Sequence, residues 1–365
     1  MDVAPLWSRR QLCLGLAGAT AAPLAVATHA RPPQRYSYFS PGTGTVNLEQ
    51  LSFEPTRLRS IGERLPSDFY VLTGLSRTLA KLSAGGQVQW QLDVQAGGGA
   101  HALGAFKRRL IVGFGQEILV VHHQSGRVTQ RIQLPTASGE VIGFLRVQGD
   151  VLITGDSGET CTLQFYQLSL NARGDIRCSP LGRLRSKTQY PRDALFLAPD
   201  RLALADTFGH AVVLYERTDR WRERRRLYEY YPNMLDFRGD KLAVLSEHGN
   251  RLVQIDLHTG QRRTRIACPS PLFEDAGTKP QQIISEESTT ITGETPPRQV
   301  CSADVSGNQT LYAANGFFDN GSSEIWVADS DNHRVAVFQN GNFMGAISGV
   351  NHPIRVIPEP VVIAG

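Results

Sequence analysis

Apolar and polar residues alternate with a period of two over short stretches along most of this chain, and Gly-, Asn- or Asp-containing turns break the stretches apart. A period of two is the signature of a half-buried strand, whose successive side chains point to opposite faces. The clearest stretch is 323–345. One strand ends in Asp329, the turn Ser330-Asp331-Asn332-His333 follows, and a second strand runs Arg334-Val335-Ala336-Val337-Phe338. Asn340-Gly341 then turns the chain into a third strand. Strand, tight turn, strand, Asn-Gly turn, strand predicts a small antiparallel meander.

Weaker copies of this meander recur upstream. Residues 200–206 and 211–215 flank Thr207-Phe208-Gly209-His210, and 240–245 and 251–255 flank Ser246-Glu247-His248-Gly249-Asn250. Earlier copies pair 69–73 with 78–82, 109–114 with 117–121, and 150–154 with 162–166. One meander cannot bury its apolar face alone, whereas four-stranded sheets stacked radially about an axis bury both faces of each. Six copies at roughly 40–60 residues apiece have the size of propeller blades.

The Asp-x-x-Asn-His-Arg turn of 329–334 resembles the NHL repeat of β-propellers, with Gly209-His210 as a looser match. The resemblance covers most of 54–357. It implies an all-β, six-bladed β-propeller of four-stranded antiparallel blades, of the TolB-like kind. Asn351 to Ile357 either begins a seventh blade or pairs with the N-terminal region to close the ring, which removes the open sheet edges. Residues 269–297 are polar and without periodicity, and are expected as an insertion between the last two blades. Residues 31–53 are expected as an N-terminal arm and 358–365 as a C-terminal tail.

Arg9-Arg10 precede a Gly/Ala-rich run, Leu14 to Val26, and small residues follow up to Ala30. A charged head, a short apolar middle and small residues predict a cleavable signal peptide over 1–30, and the paired arginines resemble a twin-arginine signal. The run, about 13 residues against the ~20 a bilayer needs, predicts no transmembrane span. The expected location is the periplasm or the extracellular space of a bacterium. Beyond that segment lie Cys161, Cys178, Cys268 and Cys301, an even number that permits two disulfides; locality suggests 161–178 and 268–301. A net charge of +4 on 365 residues argues weakly for anionic partners and gives no reason to expect nucleic acid.

No P-loop, GxSxG elbow, paired-Cys site or metal motif occurs. His210, His248 and His333 in the repeat turns are expected to hold their blades by local hydrogen bonds. His122-His123 alternate across a strand and make a poor chelating pair. Arginines at the starts of the inner strands are the most suggestive feature: Arg57, Arg192, Arg298 and Arg355 all follow prolines closely. At one channel mouth they would form a positive funnel suited to carboxylate or phosphate groups. His101 falls at a similar blade position, and Asp193 and Asp304 could orient the arginines. The run Arg220-Trp221-Arg222-Glu223-Arg224-Arg225-Arg226 is expected at a rim turn, solvated or in contact with anionic lipid or a cell-wall polymer.

These features predict an exported, non-catalytic propeller that binds a protein, peptide or glycan without a cofactor. The alternative is a metal-dependent propeller enzyme, similar to lactonases or amidating lyases, with one divalent ion on the axis.

Overall fold

A computed structural model of the protein describes residues 59–62, 65–74, 78–94, 101–134, 142–156, 160–267, 271–274, 299–301, 311, 314–319, 321, 324–330 and 332–364. The predicted signal peptide and arm, with Arg9 and Arg10, and most of the insertion lie outside them.

Six four-stranded antiparallel sheets make a β-propeller. From inside to outside, blade 1 is Pro353–Pro358, Phe69–Thr73, Thr78–Leu82 and Val88–Asp93. Blade 2 is His101–Phe106, Arg109–Phe114, Glu117–His122 and Val128–Gln133. Blade 3 is Phe144–Gln148, Val151–Gly155, Thr162–Leu170 and Ile176–Arg185. Blade 4 is Pro191–Ala198, Arg201–Asp206, Ala211–Arg217 and Trp221–Tyr228. Blade 5 is Pro232–Arg238, Lys241–Ser246, Arg251–Asp256 and Arg262–Ala267. Blade 6 is Gly316–Asp319, Glu324–Asp329, Arg334–Gln339 and Asn342–Ser348, and Arg59–Gly62 adds a fifth strand at its outer edge. The arginine run expected at a rim turn is therefore the outer strand of blade 4.

The alternation seen in the sequence becomes the packing between blades. Phe69 and Val71 join Trp326 and Val335 between blades 1 and 6, while Tyr70 and Leu72 join Leu110 and Leu119 between blades 1 and 2. Each neighbouring pair of blades shares one such cluster, so each sheet is buried on both faces. The outer strands Val88–Asp93 and Val128–Gln133 alternate half-buried and exposed residues, as an edge next to solvent requires.

The ring closes as one of the two sequence expectations had it. Pro353–Pro358 pairs with Phe69–Thr73, so the innermost strand of blade 1 comes from the far end of the chain and no seventh blade forms. The segment expected as a tail is a helix, α1 (Glu359–Ala364). Glu359 accepts hydrogen bonds from Lys81 Nζ at 2.6 Å and Tyr70 Oη at 3.3 Å, and Val362 is buried, so α1 latches the closing strand onto blade 1.

The proposed 161–178 disulfide is corrected: neither cysteine forms a disulfide, and the Cys161 thiol donates to the Gln189 carbonyl at 3.8 Å. Along the hairpin of blade 3, the Cys161 carbonyl accepts from the Ser186 amide, while Cys178 lies opposite Leu168. Seven residues of strand at ~3.3 Å each hold the two apart by roughly 20 Å, far beyond disulfide reach. Cys268 and the side chain of Cys301 lie outside the described residues. No helix among the described residues is long and apolar enough to cross a membrane.

Candidate channel site

Three inner strands begin alike. Pro191, Pro232 and Pro353 each occupy the first strand position, where a missing N–H costs no ladder bond. Each is followed by a bulge that skips one residue in the strand register: Arg192, Asn233 and Ile354. A bulge re-aims the side chain it carries. Arg192 Nη2 and Asn233 Nδ2 both donate to Asn315 Oδ1 at 2.9 Å. Asn315 Nδ2 donates to Ser330 Oγ at 2.9 Å, and Ser330 Oγ donates to the Pro353 carbonyl at 2.6 Å. Asn233 Nδ2 also reaches Glu247 Oε2 at 3.3 Å. This buried polar layer joins blades 4, 5, 6 and 1 at the end of the channel where the prolines lie.

The next layer down carries the charges. Asp193 accepts from Arg146 Nε at 2.9 Å and Nη2 at 2.5 Å, a bidentate pair between the inner strands of blades 3 and 4. Arg146 also donates to the Leu235 carbonyl, and the Leu235 and Ala194 amides donate to Asp193 at 2.8 and 3.0 Å. One carboxylate thereby ties three blades. Arg355, from blade 1, enters the same layer with Nη1 against the Met234 sulfur, and its Nε is buried with no hydrogen-bond partner among the described residues. Burial, with Arg146 beside it, pushes the Arg355 guanidinium down to about 10; Asp193 and Asp236 oppose this only in part. Burial likewise raises the Asp236 carboxyl above its ordinary value, against the pull of Arg146 and Arg238. Exposure rises along the inner strand of blade 5 from buried Asn233 through half-buried Asp236 to exposed Arg238. Along this strand the residues become more accessible with distance from the proline.

Of the funnel expected from the sequence, Arg192, Arg355 and Asp193 have described side chains. Arg192 and Arg355 line the same channel but not equivalent positions: Arg192 aligns with Ile354, and Arg355 with Asp193. Arg192 spends Nη2 on Asn315 and stacks 5.4 Å from the Tyr190 ring centroid. Asp193 does orient an arginine, but it is Arg146. His101 opens the inner strand of blade 2, and its backbone pairs in parallel with Phe144 of blade 3; its side chain lies outside the described residues, as do Arg57, Arg298 and Asp304. Arg146, Asn233, Asn315 and Glu247 were missed. Arg146 had a visible signal, a lone charge between Leu145 and Val147 in the strand Phe144–Gln148.

The turn histidines behave as expected at two of three positions. His210 and His333 take the left-handed φ values of 49° that close these turns. Their Nδ1 atoms accept from the backbone N–H of Tyr231 at 3.3 Å and His352 at 3.1 Å, each in the loop leading to the next blade. Asn250 holds the equivalent place in blade 5, with φ 48°, while His248 packs edge-on against Tyr231. His122 and His123 go to separate partners, Ser125 and Tyr70. Among the described residues no three His, Cys, Asp or Glu side chains gather as a metal site.

No protein-family model and no curated protein matches the chain. A protein of unknown function from Bacteroides caccae superposes with a TM-score of 0.57 at 12% identity, covering 80% of this chain and 98% of that one. A functionally unknown protein from Desulfotomaculum acetoxidans gives 0.48 at 10% identity, covering 82% and 88%. The WD40 propeller domain of Doa1 gives 0.46 at 14% identity, covering 80% and 82%. At such identities the first likeness speaks to the fold alone, and the six-bladed β-propeller is the class that the geometry defines.

Proposed function

We propose that this is an exported, NHL-type propeller that binds an anionic group of a protein, peptide or glycan in its channel, without transforming it and without a cofactor. Arg355 carries the reading. Its guanidinium is enclosed beside a second arginine, and its Nε has no acceptor among the described residues. A planar donor fork in that state suits a carboxylate or phosphate. The binding reading is favoured over the enzymatic one because Asp193, a carboxylate the latter would need, already spends both oxygens on Arg146 and two amides. The turn of 329–334 supports the NHL reading: Asp329 Oδ2 accepts from Asn332 Nδ2 at 2.8 Å and Arg334 Nε at 2.7 Å, so the repeat's polar residues bond to one another. The arginine pair at Arg9-Arg10 supports export.

Replacing Arg355 by methionine tests the proposal, because it removes a poorly compensated buried charge while filling much the same space. Arg355→Met is expected to be more stable than the parent by about 1–2 kcal/mol, a rise of a few degrees in melting temperature. Citrate or inorganic phosphate should raise the melting temperature of the parent and leave that of the variant unchanged. A variant that melts lower than the parent, or anions that stabilise both equally, would count against an anion site at Arg355.

A further inference from the structure

The arginine run of blade 4 is mostly neutralised within its own blade. Arg222 bonds Asp219 at 3.0 Å, Arg224 bonds Glu216 at 2.7 Å, and Arg226 bonds Glu223 at 2.6 Å. The unspent charge lies at the seam with blade 3. A groove of about 400 Å³ there is lined by Arg183 and Arg185 from the outer strand of blade 3, and by Arg217 and Arg220 from the outer hairpin of blade 4. All four are exposed. Arg183, Arg185 and Arg220 make no ion pair or side-chain hydrogen bond among the described residues. Asp219, the acidic lining residue, is already engaged by Arg222 and Thr218. The floor is apolar: Trp221 packs at 6.0 Å on Phe165, and the Arg217 guanidinium caps its ring at 5.3 Å.

We propose that this groove binds a linear anionic polysaccharide, the arginines on its two walls meeting negative groups carried at intervals along the chain. Charge complementarity sets the sign of the ligand, and Arg forks suit carboxylate, phosphate or sulfate alike. The shape selects a chain: the cations line a recess, which a thin polymer enters and a flat anionic bilayer does not. Strand addition by an acidic peptide is blocked, because Pro180 and the bulge opposite Phe165 and Tyr166 interrupt the edge of blade 3. Stacked nucleobases are disfavoured too, since the Trp221 ring is already covered by Arg217 and by the phenylalanines of the seam. This site is independent of the channel.

The test is binding of fluorescently labelled polygalacturonate at low and high salt, with neutral dextran, poly-glutamate and phosphatidylglycerol vesicles as comparison probes. The parent should bind polygalacturonate in preference to the other three, and weaken as salt rises. The triple variant Arg183→Gln, Arg185→Gln, Arg220→Gln should keep its melting temperature and lose about a hundredfold in affinity, three exposed charge contacts at about 1 kcal/mol each. The control Arg224→Gln, which lowers net charge at an arginine paired outside the groove, should lose less than about threefold. Equal losses in both variants, no binding at low salt, or tighter binding to poly-glutamate or the vesicles would overturn the proposal.

Discussion

Asp193→Ala is expected to cost the folded protein about 3–5 kcal/mol, a large part of the 5–15 kcal/mol that holds a typical domain. The cost comes from what the carboxylate leaves behind. Arg146 would stay buried with its charge uncompensated, and the Leu235 and Ala194 amides would lose their acceptor. Because Arg146 also reaches the Leu235 carbonyl, the damage falls on three inner strands at the axis. Urea unfolding followed by fluorescence measures it, with Asp193→Asn as a milder variant that keeps an acceptor. The double variant Arg146→Met, Asp193→Leu should recover most of the loss, since well-packed apolar residues often replace a buried pair without penalty. A loss below about 1 kcal/mol in Asp193→Ala would mean that the pair does not hold the channel together.

The blades were legible because a strand buried on both faces and ended by a Gly, Asn or Asp turn leaves a local mark, and six such marks at even spacing constrain the architecture. Ring closure was half legible: Asn351 to Ile357 reads as an inner strand, but its partner, Phe69–Thr73, lies at the other end of the propeller in sequence. The channel was much less legible. Pro191-Arg192 and Pro353-Ile354-Arg355 look alike in sequence, yet the bulge after each proline shifts the arginines into different layers. Asp193 and Arg146 are 47 residues apart, and only radial stacking brings them together. The four groove arginines belong to two blades, so the sequence drew attention to the conspicuous run at 220–226, while the unspent charge is shared with Arg183 and Arg185.

Acid should unfold this protein well before its carboxylates are protonated, through two buried histidines. His333 closes the blade 6 turn, and its Nδ1 accepts the His352 amide, a bond that a protonated ring cannot accept. His352 is buried between the charges of Glu247 and Arg192. Burial pushes both rings down to about 4, and the charge of His352 opposes protonation of His333 further. In the unfolded chain both return to about 6.5. Above that pH neither state binds the extra protons, so stability is fully present. As pH falls from about 6.5 to about 4, only the unfolded chain takes them up and stability drains away. The gap of about 2.5 for one ring corresponds to about 3 kcal/mol, and because repulsion from His352 is part of the His333 gap, the two rings together contribute less than twice that. His123, also held below its ordinary value by burial, acts in the same direction. Asp236, raised by burial, acts in the opposite one and returns part of the loss at the acid end. Urea midpoints at about pH 7.5 and about pH 4.5 read the effect directly. His333→Asn separates the two rings, because asparagine accepts the left-handed backbone and Asn250 already stands at the matching place in blade 5. That variant should lose about 1 kcal/mol at neutral pH with the Nδ1 bond, and about half of the acid sensitivity. A midpoint unchanged between the two pH values, or an undiminished pH dependence in His333→Asn, would show that these histidines do not set the acid limit.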